Sequence, residues 1–479
     1  MAAISGQTFI ALLPELITTG FLILVLMVGV FGEKNVGLVT GLAALGSLAV
    51  FGSAAALLGV GFEGSYFGGG YVVDGFALYF KLIVAGTAFF AVLAAARWSG
   101  NTGDAPEYLT LILSVVLGAT LLVSMRDLFG IFLALELATI PSYAMVAFDR
   151  SRRESAEGGM KYLITGVIAS SVLLYGIVLI YGISGSAMLS DVAETFTGGL
   201  TPVALLGLVF LISGFAFKIS AAPFHFWTPD AYQGAPTSAA AFLSVAPKAA
   251  FFAVLLRILL EGMPAAASTW TAVMAFLAII TMFVGNLFAL RQRNVRRMLA
   301  YSSVAHTGYI LAAFAALQGG GTTFAVQAVL VYSAAYAVMN LGAFLVIDLV
   351  GEDAKSFNGL IRTNPGVATS MAIFMAALVG IPPLSGFFGK LWIILAGVQS
   401  GSVLVYVVVG ALVVNTVLSV PYYFGIIRNM LLEEPTTETV RSKGAGAVRF
   451  SVYTLAIATT LFGLLIIPLS ALAGVSGQL

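Results

Sequence analysis

Fourteen long apolar segments follow one another along the chain, separated by short polar stretches. A membrane-spanning helix needs about 20 mostly apolar residues, so each segment is long enough to cross a bilayer. The chain is 60% hydrophobic and 9% charged, whereas a soluble globular protein has about 25% charged residues. These features predict an all-α polytopic membrane protein. The predicted spans are 8–31, 36–59, 76–97, 108–124, 128–147, 159–183, 202–222, 238–260, 268–290, 297–317, 322–348, 367–397, 402–427 and 450–473.

The placement of positive charge predicts the orientation of these spans. Fifteen of the 22 Lys and Arg residues fall in loops that follow odd-numbered spans, and only Arg126 falls in the opposite loops. Cytoplasmic loops of membrane proteins carry an excess of Lys and Arg. The loops after odd-numbered spans are therefore predicted to be cytoplasmic, with both termini on the non-cytoplasmic side.

Two spans contain helix-breaking residues at corresponding positions. Pro223 follows Lys218 in the seventh span, and Pro382 and Pro383 precede Lys390 in the twelfth. Proline interrupts a continuous helix, and discontinuous helices at corresponding positions of two halves indicate a transporter site. The breaks recur after five spans, and an odd number of helices makes successive repeats inverted. The sequence predicts two inverted five-helix repeats, formed by spans 4–8 and 9–13.

The repeats divide the chain into four predicted parts. These are an N-terminal three-helix segment (1–100), a first antiporter-like repeat (101–262), a second, inverted repeat (263–430) and a link with the C-terminal helix (431–479). The polar stretch near 429–449 is predicted to be exposed. The short connections elsewhere leave no room for a soluble domain.

The residue types that are absent exclude several kinds of cofactor site. The chain has no cysteine and only two histidines, which excludes disulfides, thiolate metal sites and Cys-ligated iron–sulfur clusters. It has no H-E-x-x-H spacing, no P-loop and no G-x-G-x-x-G loop after a strand, and no basic stretch suited to nucleic acid. We expect no metal, no bound cofactor and no redox step in this chain.

Three charged residues of the first half lie at bilayer depth. Glu136 is the only charged residue of its span, and Lys218 is the nearest cation by predicted topology. Charges inside a membrane mark ion or proton pathways; the alternative is a static buried ion pair that fixes helix packing. Lys248 follows a proline near the middle of its predicted span. Burial favours the neutral amine of a lysine, so Lys248 is predicted to carry protons.

Lys390 and His306 are the candidates of the second half. Lys390 follows the break of the twelfth span and precedes Trp392. It either faces a polar cavity or extends to the lipid headgroups. His306 lies inside the tenth span beside hydroxyl-bearing residues. An imidazole suits proton relay near neutral pH, and a hydrogen-bonded core histidine is the alternative.

Polar residues near the broken seventh span are secondary candidates. His225 and Asp230 either extend a proton uptake route or cap the broken helix and the turn that follows it. Lys161, near the start of the sixth span, is expected to form a solvated ion-pair cluster with Glu154 and Glu157. Modulation of the seventh-span lysine is the second interpretation for this residue.

Three further charged residues are interpreted as structural. Lys81 and Arg257 lie within apolar spans, from which a long basic side chain can extend to the headgroups, so both are expected to reach the membrane surface. Glu15 follows Pro14 in the first span. It is expected to lie near the interface and to have a structural role.

Three segments of the chain resemble one family of respiratory membrane proteins. They read FKISAAPFHFWTPDAYQGAPTSAAAFLSVAPKAA (217–250), RNVRRMLAYSSVAHTGY (293–309) and GIPPLSGFFGKLW (380–392). These segments closely resemble the subunit N family of bacterial NADH:quinone oxidoreductase, the respiratory complex I. That family is similar to Mrp-type cation/proton antiporter subunits. The resemblance spans essentially the whole chain, through the fourteenth span.

The resemblance implies proton translocation coupled to quinone reduction elsewhere in the complex, and it implies roles for five residues. In this family a glutamate of the fifth helix pairs with a lysine of the broken seventh, and these match Glu136 and Lys218. The central lysine of the eighth helix matches Lys248, and the histidine of the tenth matches His306. The lysine of the broken twelfth helix matches Lys390.

The resemblance also implies the setting of the chain. Its partners would be other membrane subunits of complex I, further antiporter-like subunits among them, in the lipid of a bacterial plasma (inner) membrane. NADH, FMN, iron–sulfur clusters and quinone are expected in partner subunits. The translocase activity is therefore expected to belong to the whole complex. The alternative is an Mrp-type cation/proton antiporter subunit without redox coupling, which shares every charge named above.

Overall fold

The chain is predominantly helical, as predicted. The structure is a computed structural model that describes residues 6–31, 35–102, 104–317, 319–435 and 445–465. One short hairpin, β1 (Gly64–Tyr66) and β2 (Tyr71–Val73), accompanies the helices in these ranges. The α-helices are α1 (Gly6–Ala11), α2 (Leu13–Phe31), α3 (Val36–Gly59), α4 (Gly75–Thr102), α5 (Ala105–Leu122), α6 (Leu128–Val146), α7 (Arg153–Ser184), α8 (Leu189–Thr195), α9 (Pro202–Lys218), α10 (Trp227–Gly234), α11 (Thr237–Leu243), α12 (Ala246–Arg257), α13 (Ala267–Ala289), α14 (Val295–Ala315), α15 (Thr322–Val350), α16 (Leu360–Thr363), α17 (Pro365–Val379), α18 (Ser385–Ser400), α19 (Val403–Leu432) and α20 (Ala445–Leu464).

Each of the fourteen predicted spans contains helix. Within the described ranges, 11 helices are long and apolar enough to cross a membrane, which confirms a multi-pass membrane protein. The 11 include the eighth span, taken as one helical segment (Thr237–Gly262) across a short interruption. The remaining predicted spans are the seventh, whose helix α9 ends at Lys218, the twelfth, which is divided into α17 and α18, and the tenth, α14, whose first turn carries Arg296 and Arg297. The predicted link near 429–449 and the end of the fourteenth span extend outside the described residues.

The seventh span is broken after Lys218, as predicted. α9 ends at this residue, and an irregular segment separates it from α10. Side chains of other helices bond the backbone groups that the break leaves free. The Thr307 hydroxyl donates to the carbonyl of Ile219 (2.7 Å), and the Thr281 hydroxyl accepts from the N–H of Ala222 (3.0 Å). Irregular backbone at membrane depth needs such partners, so α13 and α14 hold this break in place.

The twelfth span is broken between α17 and α18, also as predicted. α17 ends at Val379, and α18 begins at Ser385. Gly380 has a φ of +94°, in the left-handed region that favours glycine. The two breaks position their lysines differently. Lys218 is the last residue of the helix before the first break, whereas Lys390 lies inside the helix after the second.

The eighth span, predicted as one helix, is interrupted in the structure. α11 ends at Leu243 and α12 begins at Ala246. Pro247 has no N–H with which to reach the carbonyl of Leu243 four residues earlier. The hydroxyl of Tyr232 donates to that carbonyl instead (3.2 Å). Lys248 therefore lies in the first turn of α12 rather than in the middle of a long helix, which corrects the prediction.

The same order of helices occurs twice along the chain: α5, α6, α7, α9–α10 and α11–α12, then α13, α14, α15, α17–α18 and α19. In each set the first two helices meet at a glycine. A methyl group added at Gly118 would lie 2.3 Å from the nitrogen of Ala138, and one added at Gly285 would lie 2.3 Å from the nitrogen of Ala305. Small residues let membrane helices approach closely. The matching contacts support two five-helix repeats, while the boundaries proposed near 101, 263 and 431 stay a prediction.

The hairpin was not predicted from the sequence. Its strands pair in antiparallel fashion, and Tyr71 is bridged to Met125 in the segment before α6. The N–H of Val72 donates to the carbonyl of Ser124 (2.8 Å). Three-residue strands are too short for an alternating pattern to be recognised. The hairpin joins the N-terminal three-helix segment to the first repeat.

Candidate functional site

Glu136 on α6 and Lys218 on α9 form an ion pair inside the bundle. Lys218 Nζ lies 3.3 Å from Glu136 Oε1, and the lysine side chain is fully buried. The hydroxyl of Ser170 on α7 donates to Glu136 (2.6 Å) and accepts from Lys218 (2.8 Å). Thr139 accepts a further, longer bond from Lys218 (3.5 Å). The structure thus brings the two predicted residues together and adds two hydroxyls that the sequence did not reveal.

Lys248 faces a hydroxyl rather than a carboxylate. Its Nζ donates to Ser303 Oγ on α14 (2.8 Å) and lies 5.6 Å from the centre of the Tyr232 ring. In the part of the chain that the structure describes, no acidic side chain forms an ion pair with it. The N-terminal end of a helix carries partial positive charge, so α12 does not compensate an ammonium at this position either.

Lys390 reaches back across the second break to the end of α17. Its Nζ donates to the carbonyls of Val379 (2.7 Å) and Leu378 (3.3 Å) and lies 4.6 Å from the centre of the Tyr309 ring. The last carbonyls of a helix lack partners within the helix and carry partial negative charge. The side chain is buried. Lys390 therefore faces the interior of the bundle and not the lipid headgroups.

His306 lies on α14 with a tyrosine hydroxyl at each ring nitrogen. Nδ1 is 2.8 Å from the hydroxyl of Tyr332 on α15, and Nε2 is 3.2 Å from the hydroxyl of Tyr423 on α19. The Tyr423 hydroxyl also lies 2.5 Å from Ser302 Oγ. The Tyr336 ring stacks on the imidazole at 5.0 Å. None of these tyrosines was predicted, although Tyr332 and Tyr336 have the i, i+4 spacing that places both on one helix face.

A small cavity lies between Lys248 and the surroundings of His306. Its lining includes Lys248, Thr307, Ser333 and Tyr336, and its volume is about 10 Å³, close to the minimum for one water molecule. The hydroxyl of Ser333 is buried without a hydrogen-bond partner among the described residues, and that of Tyr336 lies beside Ser303, the residue that Lys248 bonds. Buried polar groups are normally bonded to protein or to ordered water. The cavity therefore has both the room and the polar partners for a bridging water.

Asp230 on α10 holds two cations from different helices. Its carboxylate lies 2.7 Å from Lys161 Nζ and 2.5 Å from Arg297. Burial raises the pKa of Asp230, but the hydrogen bonds from Lys161 and Arg297 outweigh this effect and lower the pKa below its ordinary value. The predicted ion pair of Lys161 with Glu157 is present (2.7 Å). Glu154 forms no ion pair in the described ranges, so Asp230 completes the cluster in its place.

His225 lies apart from the other site candidates. It is buried in the irregular segment between α9 and α10, and its ring centroid is 4.5 Å from that of Phe226. No side chain caps the start of α10, so neither His225 nor Asp230 has that role there. His225 is hydrogen-bonded to the backbone of Pro223, in the turn after the broken helix, which agrees with the capping alternative for that turn. A proton uptake route through His225 stays a prediction.

Lys81 and Arg257 do not extend to the membrane surface, so that prediction is wrong. Both side chains are fully buried in ion pairs, Lys81 with Glu15 (2.7 Å) and Arg257 with Asp74 (2.9 Å) and Glu261 (2.7 Å). A buried charge is tolerated where an opposite charge and hydrogen bonds compensate it. One signal was available, because Glu261 follows Arg257 at the i+4 spacing that favours a helical ion pair.

The arrangement suits the binding and release of protons. Glu136, Lys218, Lys248, His306 and Lys390 are buried or partly buried inside an apolar bundle. Ionisable side chains at membrane depth mark ion or proton pathways. No group of three or more His, Asp or Glu side chains suited to a metal ion occurs among the residues that the structure describes.

Comparison with known proteins defines the class of the chain as an antiporter-like membrane protein. Residues 125–419 match the family described as "NADH:quinone oxidoreductase/Mrp antiporter, TM". The chain is similar to NADH-quinone oxidoreductase subunit N of Rubrobacter xylanophilus, with 73% identity over 99% of this chain and 100% of the relative.

Two solved structures are also similar. One is a chain of respiratory complex I from Thermus thermophilus with bound aureothin (31% identity, TM-score 0.82, 96% of this chain and 99% of that chain). The other is a chain of the Mrp complex from Dietzia sp. DQ12-45-1b (22% identity, TM-score 0.85, 98% of this chain and 97% of that chain), which at this identity shows the fold alone.

The chain therefore belongs to the NADH-quinone oxidoreductase subunit N family. It is a membrane subunit of that enzyme complex, and the prediction from sequence is confirmed in preference to the Mrp-type alternative. The predicted helical, antiporter-like fold with broken seventh and twelfth spans is confirmed as well.

Proposed function

We propose that this chain translocates protons across the bacterial inner membrane, driven by quinone reduction in partner subunits. The observation that carries the proposal is the set of five ionisable side chains that lines the interior of both repeats: Glu136, Lys218, Lys248, His306 and Lys390. A bundle that served only as a scaffold would gain stability if apolar residues replaced such groups. Their presence supports a function that uses charge.

The family and the charge distribution support the following setting. The partners are other membrane subunits of the complex, including further antiporter-like subunits. NADH, FMN, iron–sulfur clusters and quinone are bound in partner subunits, and this chain binds none of them. Both termini lie on the non-cytoplasmic side, because fifteen Lys and Arg residues follow odd-numbered spans and one lies in the opposite loops.

The ion pair of the first repeat is the proposed switch. Glu136 Oε1 and Lys218 Nζ are 3.3 Å apart, and Lys218 closes a helix that ends at the break. Two unit charges near 4 Å interact by about 4 kcal/mol at an effective dielectric constant near 20. That energy corresponds to about a thousandfold change in proton affinity. Separation of the pair therefore releases the proton of Lys218 without a large backbone movement.

Lys248 receives the proton in the next step. No direct hydrogen bond joins Lys218 to Lys248 in the described structure, so the transfer runs through water. From Lys248 the cavity lined by Ser333 and Tyr336 leads towards His306. A water in this cavity would bond the otherwise unpartnered hydroxyl of Ser333 on its wall.

Lys390 is the last proposed station, in the second repeat. The carbonyls at the end of α17 bind its ammonium through two hydrogen bonds. Those carbonyls belong to the break, so a change in the geometry of the break alters how well they hold the charge. The second break is thus proposed to act on Lys390 as Glu136 acts on Lys218.

The substitution Lys248→Met tests the proposal in the assembled complex. Methionine has a similar volume but carries no proton, so we expect the complex to assemble and to lose coupled proton pumping. The measurements are quinone reduction with NADH and the number of protons pumped per electron in sealed vesicles. Lys355→Met, at an exposed lysine of the loop after α15, is the matched control. A normal proton-to-electron ratio in Lys248→Met would refute the proposal.

A further inference from the structure

We infer that Tyr332 and Tyr423 hold His306 between them as a two-sided proton relay. This inference deepens the proposed function and rests on it. His306, Tyr332 and Tyr423 come from three helices, α14, α15 and α19, and all three side chains are almost completely buried. The three helices all belong to the second repeat, whereas Lys248 belongs to the first and lines a cavity that α14 and α15 also line.

The hydrogen-bond geometry at the imidazole carries the inference. A neutral imidazole has one N–H donor and one acceptor nitrogen, and a phenol hydroxyl can donate or accept. Tyr332 lies at Nδ1 (2.8 Å) and Tyr423 at Nε2 (3.2 Å). The two phenols therefore complement either tautomer of His306. A core histidine held in one tautomer needs only an acceptor at one nitrogen and a donor at the other. Here both partners are hydroxyls, so each can take either part and the tautomer can exchange.

The transfer balances at every atom. A proton delivered to the Tyr332 oxygen is matched by donation of the Tyr332 hydroxyl proton to Nδ1. The imidazole then releases the Nε2 proton to the Tyr423 oxygen, and Tyr423 passes its own hydroxyl proton on. Each group gains one proton and loses one, so no phenolate persists and no electron is transferred. Rotation of the hydroxyls and return of the original tautomer reset the relay.

Polar groups lie on both sides of the imidazole. Tyr336, whose ring stacks on the imidazole, and Ser333, the residue after Tyr332, line the cavity that also contains Lys248. On the Tyr423 side, the hydroxyl lies 2.5 Å from Ser302 Oγ. In the relay, water from the cavity delivers the proton to Tyr332, and Ser302 is the next hydroxyl after Tyr423.

A buried tyrosine outside the relay, Tyr79 on α4, supplies a matched control. Its hydroxyl donates to the backbone carbonyl of Leu330 on α15 (3.2 Å). This hydrogen bond ties α4 to α15 and reaches neither the imidazole nor the two tyrosines of the relay. Tyr79→Phe therefore removes the same atom from a buried phenol as Tyr423→Phe. Tyr422 is unsuited to this use, because its side chain is hydrogen-bonded to Tyr423 as well as to Asn286.

The test compares Tyr332→Phe, Tyr423→Phe and Tyr79→Phe in the assembled complex. Loss of a group that transfers protons slows a step by about 100-fold or more, so the first two variants should show at least about a tenfold slower proton pumping. Their solvent isotope effect on quinone reduction should exceed that of the unmodified complex, because proton transfer becomes rate-limiting. Tyr79→Phe should leave both quantities unchanged.

The outcomes separate the relay from packing and from the proposed function. Reduced assembly or thermal stability of Tyr332→Phe and Tyr423→Phe with normal pumping and a normal isotope effect would overturn the relay. If Tyr423→Phe does not assemble, Ser302→Ala removes the next hydroxyl and should slow pumping in the same way; normal pumping would again overturn it. If Lys248→Met loses pumping while both tyrosine variants pump normally, the relay is rejected and the proposed function stands. If Lys248→Met pumps normally, the proposed function itself is rejected.

Discussion

The four lysines that are buried in the described part of the chain differ in what compensates their charge. Lys81 and Lys218 each face a glutamate, at 2.7 Å and 3.3 Å. Lys390 faces the carbonyls of a helix end, and Lys248 faces a single serine hydroxyl. The ion pair of Lys81 lies in the N-terminal segment, away from both breaks. The ion pair of Lys218 lies at a break, and both of its members bond the hydroxyl of Ser170. We therefore assign the Lys81 pair to structure and the Lys218 pair to transfer.

The substitution Lys81→Met distinguishes these roles. Removal of one partner from a buried ion pair costs about 3–5 kcal/mol, because the other charge stays buried, whereas replacement of both partners is often neutral. We expect Lys81→Met to lower the thermal midpoint of the purified complex, and Glu15→Leu with Lys81→Met to restore it. Proton pumping of the double variant should be normal. Lost pumping in a stable double variant would show that the pair is part of the pathway.

The sequence revealed the charged members of the site but not the hydroxyls that surround them. Glu136 and Lys248 stand out because a charge in an apolar segment is rare and costly. Ser170 and Tyr423 do not stand out, because serine and tyrosine are ordinary residues of membrane helices. Their contribution depends on which helices pack together, and Ser170 meets Glu136 from 34 residues away in the chain. Tertiary contacts of this kind leave no local pattern.

Among the helices, the first two of each repeat are fixed by close contact at a glycine. The contact of Gly118 with Ala138 and that of Gly285 with Ala305 involve backbone atoms on the facing helix. Backbone cannot move aside as a flexible side chain can, so both positions exclude any larger residue. The first contact sets the spacing between α5 and α6, and α6 carries Glu136. The second sets the spacing between α13 and α14, and α14 carries His306.

Gly285→Ala and Gly410→Ala should therefore have effects of opposite sign. Alanine is favoured over glycine in a helix by about 1 kcal/mol, and a methyl group at Gly410 would meet nothing within 4 Å. At Gly285 the added methyl would lie 2.3 Å from a backbone nitrogen, and overpacking of this kind costs about 1–3 kcal/mol. Thermal unfolding of the purified complex measures both. Equal midpoints for the two variants would contradict the close contact.

The break after Lys218 was predictable, because Pro223, Pro229 and Pro236 follow one another closely there and would interrupt any continuous helix. The break before Lys248 was not, because Pro247 lies in the first turn of α12, where proline is common. The sequence did not show that α11 ends just before it. The hairpin was missed for a different reason, because β1 and β2 have three residues each. Breaks within one span and very short strands are thus where local patterns fail.

For the whole molecule, the membrane orientation is the largest prediction that rests on sequence alone. The charge bias depends on the number of spans, because one extra or missing span in the middle would exchange the two sets of loops. Helix in every predicted span supports that number. The hairpin and the loop between α6 and α7 are then expected on opposite sides of the membrane.

The absence of cysteine from the sequence makes this orientation directly testable. Ser65→Cys in β1 and Ser151→Cys in the loop between α6 and α7 are conservative changes at exposed positions. Since the loops after odd-numbered spans carry the positive charge, a membrane-impermeant maleimide added to intact cells stripped of the outer membrane should label Ser65→Cys only. In inverted vesicles it should label Ser151→Cys only. The reverse pattern would invert the orientation, and labelling of both variants from one side would show that the number of spans between them is wrong.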